Sequence, residues 1–456
     1  SFVNCQHIDF ALVAHTTGKP ISNRKLMGAV GELGINTWLE LTDEEWKSIQ
    51  DKCRNKKVVL KRRTPRPHQK KAIANAKKYF IVERNARGRL LMPCGTGKSL
   101  TAYWMARALE SNNILVAVPS LSLIRQSLAD WTREFLAEGI EPEWLCVCSD
   151  DSVGKLDMDE FVNSTYDIGI PATTDVDEIT AFLRKRPRKP KITFTTYQSS
   201  KVLAKASKAV KTKFDLAILD EAHKTVGAKN KTFSTLLSDR NVGIKKRIFM
   251  TATERIIRED NDEVLSMDDT SDYGSMFYEM TFKEAIRRGL ICDYKIVTVT
   301  VTDSQINDLI TDNKLLKVDP DKDTEIQAQS LAAGIVLKKF FKNKKVSHAI
   351  SFHRSIRSAT NFQQLNDSLN GIRKLGPKVD NFNVSSKVPT GQRAERLKDF
   401  EQANRGLITN ARCLTEGVDI PAVDAVLFAD PKQSVIDIVQ ATGRALRLHK
   451  GKDFGY

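Results

Sequence analysis

The segment Pro93-Cys94-Gly95-Thr96-Gly97-Lys98-Ser99 carries the residue types that hold a polyphosphate. Gly95 and Gly97, with Thr96 between them, let the backbone turn its N–H groups around phosphate oxygens. A helix opening at Ser99 adds positive potential there. Lys98 reaches the β- and γ-phosphates, and the Ser99 hydroxyl suits Mg2+. The full phosphate-loop spacing wants a glycine where this chain has Met92. The bland reading is a chance glycine turn, but an apolar strand before it and a helix after it weigh against that. Asp220-Glu221-Ala222-His223 is the second such segment. Asp220 suits Mg2+ through water, and Glu221 suits orienting and deprotonating an attacking water. The bland reading is an exposed acidic turn with a surface His223.

Two further segments gain meaning from their order. Thr251-Ala252-Thr253 follows the next apolar strand and offers the hydroxyls of Thr251 and Thr253 to the acidic segment. Near the end lies Gln440-Ala441-Thr442-Gly443-Arg444-Ala445-Leu446-Arg447. Arg444 and Arg447 share a helix face, and a planar guanidinium fits the spread charge of a phosphoryl group in transfer. Taken alone, this pair reads better as ordinary helix-surface arginines.

These residues need elements to position them. Apolar runs at Leu90–Met92, Ile114–Val118, Ile192–Thr196, Leu216–Leu219 and Arg247–Met250 alternate with helical stretches, including Ser99–Leu109. That alternation predicts a doubly wound, mostly parallel sheet. Residues 254–272 are acidic and poor in apolar side chains, which predicts a loop. A second alternation begins near 293, with strands at Lys295–Thr302, Ser347–Phe352, Gly406–Thr409 and Ala425–Ala429. Ahead of both, a small α/β piece is predicted from strands Ile8–Ala14 and Ile35–Leu39 and a helix Asn23–Leu33. Thr42 with Glu45 forms a capping box. The basic stretch Lys52–Arg66, with Pro65, reads as a linker. The expected domains are 1–60, 61–280 and 281–456.

The chain has 456 residues, 41% apolar and 28% charged, with 72 basic against 56 acidic side chains, a net +16. That balance favours a polyanionic partner, and the apolar share excludes wholesale disorder. No apolar run is long enough for a membrane helix. The seven cysteines are scattered, with neither metal-site nor disulfide spacing, so a reducing compartment, the cytoplasm, is expected. The run Arg184–Lys191 holds six basic residues in eight; it reads as a solvated loop before a phosphate grip. Trp104, Trp131 and Phe135 read as core.

Together, in this order, these segments resemble the superfamily 2 helicases and translocases. Lesser segments agree. Arg66-Pro67-His68-Gln69 resembles the adenine-reading motif. Pro119-Ser120-Leu121 through Arg125-Gln126 and Thr195-Thr196-Tyr197-Gln198 resemble nucleic-acid motifs. Ser351-Phe352-His353 resembles the first motif of the second domain, and Leu414-Thr415-Glu416-Gly417-Val418-Asp419-Ile420-Pro421 the coupling motif. The resemblance spans about residues 62–448 and is nearest to the motors of restriction enzymes, whose nuclease domain precedes the motor. Residues 1–50 resemble the tail of such a domain.

The resemblance implies two tandem RecA-like doubly wound domains after the N-terminal piece. ATP and Mg2+ would lie between the domains. Lys98, Ser99, Asp220 and Glu221 would come from the first domain, and Arg444 and Arg447 from the second. Arg66, Gln69, Gly417 and Asp419 would add nucleotide contacts, and His223, Thr251, Thr253 and Gln440 would couple hydrolysis to movement. Ser120, Arg125, Thr196, Gln198, His353, Arg354 and Thr415 would touch nucleic acid, DNA rather than RNA, through its phosphates. An RNA helicase, or a nucleotide-switched sensing or scaffolding module, is the alternative. A nuclease or methyltransferase would lie outside the chain.

Overall fold

The computed structural model describes residues 11–14, 16, 30–33, 38, 41–56, 58–148, 172–185, 189–210, 213–228, 232–258, 264–298, 324–343, 346–372, 374–384, 390–410, 420–430, 434–449 and 451–456. The described chain divides into two compact units, one ending at Phe282 and the other starting at Lys283.

In the first unit, β1 (Ala11–Ala14) and β2 (Val30–Leu33) form a parallel pair, Ala11 opposite Val30. This corrects the helix expected over Asn23–Leu33, whose described part is strand. Gly31 weakens a helix there, and the partner strand supplies the backbone bonds. Ile35–Leu39 lies almost wholly outside the described residues. Helix α1 (Asp43–Cys53) starts where the capping box predicts, with Glu45 N–H donating to Thr42 Oγ1 at 3.3 Å and Thr42 N–H to Glu45 Oε2 at 2.8 Å.

The main sheet contains β3 (Arg87–Leu91), β4 (Asn113–Val118), β5 (Glu143–Val147), β6 (Ala172–Thr173), β7 (Lys191–Thr196), β8 (Leu216–Leu219), β9 (Arg247–Thr251) and β10 (Ser275–Glu279). All its pairings are parallel, in the order β10-β3-β9-β8-β4-β7-β5-β6. Strands β4, β7, β8 and β9 are buried along their whole length, as continuous apolar runs in a two-faced sheet require. Helices α2 (Pro67–Lys77), α3 (Lys98–Ala108), α4 (Leu121–Ala137), α5 (Val176–Arg184) and α6 (Ser200–Val210) connect or flank these strands. Trp131 and Phe135 of α4 are buried against Tyr103, while Trp104 is half-buried.

The acidic stretch 254–272 is not wholly a loop. Val264–Leu265 pairs antiparallel with Gly227–Ala228, and Asp269 caps one helical turn, Thr270–Tyr273. In the basic run, Lys191 is buried and its ammonium donates to the carbonyls of Phe182 (2.7 Å) and Lys185 (2.9 Å), closing the end of α5 rather than facing solvent. Residues 186–188 of that run lie outside the described set.

The second unit holds the parallel sheet β12-β13-β11-β14, from β11 (His348–Phe352), β12 (Asp380–Asn383), β13 (Gly406–Asn410) and β14 (Ala425–Phe428). Helices α7 (Thr324–Asn343), α8 (Ile356–Leu369), α9 (Thr390–Gln402) and α10 (Val435–Ala445) accompany it. Ile350, Phe352, Ile408, Val423 and Ala441 form its core. The strand expected at Lys295–Thr302 is corrected for its described part, 295–298; residues 299–302 lie outside the described set. The strand is Asp293–Tyr294, paired with Phe454–Gly455, and the exposed Ile296 and Val297 that follow have no sheet face over them.

Gly274 precedes β10 with φ +73°, and a Cβ there would lie 1.9 Å from the carbonyl oxygen of Arg87. Gly274→Ala therefore combines left-handed strain with backbone overlap. A stability loss of at least about 2 kcal/mol is expected in urea melts; an unchanged midpoint would show that β10 docks by other means.

Candidate active site

The strand order decides which loops meet. Neighbours β3, β9 and β8 all end at the same sheet edge because they are parallel. The phosphate loop leaves β3, Thr251 ends β9, and Asp220 follows β8, so three segments far apart in sequence become adjacent. Backbone bonds extend the ladder past the strands: Met92 N–H donates to Thr251 O at 3.1 Å and Asp220 N–H to Ala117 O at 2.9 Å.

Gly95 and Gly97 adopt φ of +82° and +85°, so the loop takes the left-handed turns that glycine permits. A Cβ on Gly97 would also lie 2.8 Å from Gln69 Nε2. Gln69 is buried, and its amide is held at both ends, accepting from Arg66 N–H (2.8 Å) and donating to Gly97 O (3.2 Å). The residue expected to read adenine thus braces the phosphate loop in this structure, and the Arg66 side chain is exposed. His68 Nε2 lies 3.0 Å from Thr96 O, a second brace. Thr96 Oγ1 donates to Pro93 O at 2.7 Å and closes the turn.

Lys98 Nζ lies 3.0 Å from Glu221 Oε1 and both side chains are largely buried. Burial opposes the charge on Lys98, but the Glu221 carboxylate outweighs it and holds the ammonium above its ordinary range. On Glu221 burial likewise favours the neutral acid, and Lys98 and His223 overcome it, so the carboxyl is held below its ordinary range. Ser99 Oγ is buried and takes no hydrogen bond in the structure. A hydroxyl left open beside a glycine cradle, with Asp220 on the neighbouring motif, fits the hard oxygen set of Mg2+.

His223 Nδ1 lies 3.0 Å from Thr251 Oγ1 and 3.4 Å from Glu221 Oε2. Thr251 Oγ1 donates to Thr253 O at 2.9 Å, so its proton is committed and the histidine is the donor. The structure therefore joins His223, Thr251 and Thr253 in one hydrogen-bonded line, with the Glu221 carboxylate 3.4 Å from the ring.

The other expected site residues are placed less uniformly. Ser120 is buried with its hydroxyl 3.0 Å from Ser122 Oγ, and Thr196 is buried with its hydroxyl 3.2 Å from Ser199 Oγ. Arg125 and Gln198 are half-buried. In the second unit His353 is buried, 2.9 Å from Ser351 Oγ, whereas Arg354 is exposed. Ser120, Thr196 and His353 thus do not present side chains to a solvent-side strand. Gln440 and Arg444 of α10 are buried and Arg447 is half-buried. Thr415, Gly417 and Asp419 lie outside the described residues. Two residues at the first site have no role that the sequence suggests. Tyr197 donates to Asp220 O at 2.7 Å, and the Trp131 indole donates to Ser99 O at 3.3 Å. Tyr197 lies within the Thr195–Gln198 motif, but only the fold shows what its hydroxyl touches.

The family model for the Type III restriction enzyme res subunit matches residues 62–256, and that for the helicase conserved C-terminal domain matches residues 333–449. The chain belongs to the superfamily 2 helicases, as a relative of restriction motor subunits. Its two parallel-sheet units are the tandem RecA-like domains of that family. Among solved structures, this helicase-family chain is similar to the Type ISP restriction–modification enzyme LlaBIII bound to DNA. That match has a TM-score of 0.77 and 27% identity, and covers 100% of this chain and 32% of that one. A nuclease-deletion mutant of the Type ISP enzyme LlaGI with a DNA substrate mimic matches at TM-score 0.59 and 28% identity, covering 86% and 26% of the two chains. A curated relative, described as a probable helicase of African swine fever virus, is 28% identical over 81% of this chain and 38% of its own length. The chain thus spans well under half of these relatives. No helix among the described residues is long and apolar enough to cross a membrane.

Burial pushes His223 down to about 4, outweighing the pull of Glu221, so the ring is neutral at pH 7. The unfolded chain binds this proton near the ordinary 6.5 and the folded chain only near 4. Stability is therefore fully present above the higher value and drains away as pH falls through the window. Linkage puts the loss at about 3 kcal/mol. His223→Asn is expected to be less stable than the wild type at neutral pH, with the gap narrowing toward pH 5 in urea melts. A gap independent of pH would mean that His223 does not titrate across that window.

Proposed function

We propose that the chain is the motor portion of an ATP-dependent DNA translocase or helicase of the restriction or phage-defence type. The observation that carries this reading is the buried Lys98–Glu221 pair at 3.0 Å, set where a phosphate loop and an acidic motif adjoin. The choice of DNA is supported by the two restriction enzymes whose structures contain DNA or its mimic.

In this reading Lys98 leaves Glu221 for the β- and γ-phosphates of ATP, joined by the loop N–H groups from Gly95 to Ser99. Ser99 and Asp220 would hold Mg2+, which would supply positive charge to the phosphate oxygens. With Lys98 drawn away, burial acts on Glu221 with less opposition and raises its proton affinity, which fits it as the general base toward water. His223, Thr251 and Thr253 carry that change along their hydrogen bonds, with Gln440 as their counterpart in the second unit. Arg444 and Arg447 supply guanidinium charge to the phosphoryl group, and Arg66, Gln69, Gly417 and Asp419 attend the nucleotide. Phosphate contacts come from the side chains of Arg125, Gln198 and Arg354, from the turns at Ser120, Thr196 and His353, and from Thr415. Contacts of this kind carry no sequence information, which suits movement along a strand.

The test compares ATP turnover alone, with duplex DNA and with single-stranded RNA. Turnover is expected to rise about tenfold or more with DNA; stimulation by RNA alone selects an RNA helicase, and turnover indifferent to both selects a nucleotide switch. Glu221→Gln should bind ATP yet lose at least about a hundredfold in kcat; retained turnover would remove Glu221 from its role. DNA affinity should fall steeply with salt and vary little with sequence, measured by anisotropy.

A further inference from the structure

Glu221 has φ +48°, the left-handed region that a residue with a side chain enters only at a cost. Such a residue persists where its neighbours over-determine it. The peptide unit ahead of it, made of Asp220 C=O and Glu221 N–H, is held at both polar ends. Glu221 N–H donates to Asp220 Oδ1 at 2.9 Å, and the Tyr197 hydroxyl donates to Asp220 O at 2.7 Å. With Glu221 O also accepting from Lys224 N–H at 3.0 Å, holding that peptide plane restricts the rotation about the Glu221 N–Cα bond, and so the direction in which the side chain leaves the backbone.

Tyr197 is placed to do this. Its ring is fully buried and stacks on Phe233 with centroids 5.7 Å apart, so the hydroxyl has little freedom to wander. Its own backbone belongs to the turn between β7 and α6. Tyr197 N–H donates to Val118 O at 3.1 Å, one strand over, and Tyr197 O accepts from Ser200 Oγ at 2.7 Å. Its neighbours Thr196 and Gln198 are the residues assigned above to nucleic acid, and Gln198 Oε1 is buried without a hydrogen-bond partner. One rigid ring therefore spans from the turn at the end of β7 to the peptide that aims the catalytic carboxylate.

We infer that Tyr197 is a positioning residue. It holds the Asp220–Glu221 peptide in the twist that gives Glu221 its left-handed backbone and transmits the state of the Thr196–Gln198 turn to it. The transmission half rests on the DNA-motor reading above; the positioning half rests on the hydrogen bond alone.

Tyr197→Phe keeps the ring and its stacking and removes only the donor. Full-length wild type and variant are compared for basal and duplex-DNA-stimulated ATP turnover, for KM of ATP and for the thermal midpoint. The expected result is a fall of about tenfold in kcat with KM within about twofold, a smaller ratio of stimulated to basal turnover, and an unchanged midpoint. A variant indistinguishable from the wild type overturns the inference. So does a raised KM at constant kcat, or a lowered midpoint with basal and stimulated turnover reduced in equal proportion. Wild-type turnover indifferent to DNA would sink the motor reading and the transmission half with it, while basal kcat would still decide positioning.

Discussion

A buried lysine and a buried glutamate, 3.0 Å apart, organise the first unit. Either charge alone in that setting is costly, by several kcal/mol once its partner is removed. Together they are tolerated, and the tolerance is conditional on each having a counter-charge. Anything that draws Lys98 away must present negative charge of its own, and a polyphosphate does so. What then remains is a carboxylate in a site that favours its protonated form. In the function proposed above, binding and readiness for proton transfer are two consequences of one ion pair.

The sheet makes that pair possible. Lys98 and Glu221 are separated by well over a hundred positions, and they meet because β3 and β8 both flank β9 in a parallel arrangement. The same arrangement sets Thr251 between them, which is why His223 finds a hydroxyl at 3.0 Å. A neutral imidazole suits that bond, since Thr251 has already committed its proton and the ring donates from Nδ1. Burial, which disfavours the imidazolium, secures it.

The second unit repeats the parallel architecture with four strands in its main sheet and places its arginines differently from ordinary surface residues. Arg444 is buried on α10, and the helix end is tied down by Lys452, whose ammonium donates to Arg447 O at 2.8 Å. Cationic charge at a helix C-terminus is favourable in its own right, so the arginine helix is held by its last turn.

Several features are legible in the order of residues alone. The phosphate loop announces itself through Gly95, Gly97 and Lys98, because backbone turns and charge are local demands. Strand cores such as Leu216–Leu219 are visible because a two-faced parallel sheet needs unbroken apolar runs. Other features are not. Val30–Leu33 is a strand only because Ala11–Ala14 lies beside it, and Lys295–Thr302 alternates like a strand although the residues paired in a sheet, Asp293 and Tyr294, lie just before it. Gln69 sits in a segment that resembles the adenine-reading motif, and the fold shows it bracing Gly97. Tyr197 carries no chemical signal at all until its hydroxyl is seen on Asp220 O. Residue type and spacing determine what chemistry a segment is capable of, since these depend on bonds within a few residues. Which segments adjoin, which charges are buried together and which hydroxyl is the donor depend on strand order and packing, and these are set by contacts across the whole sheet.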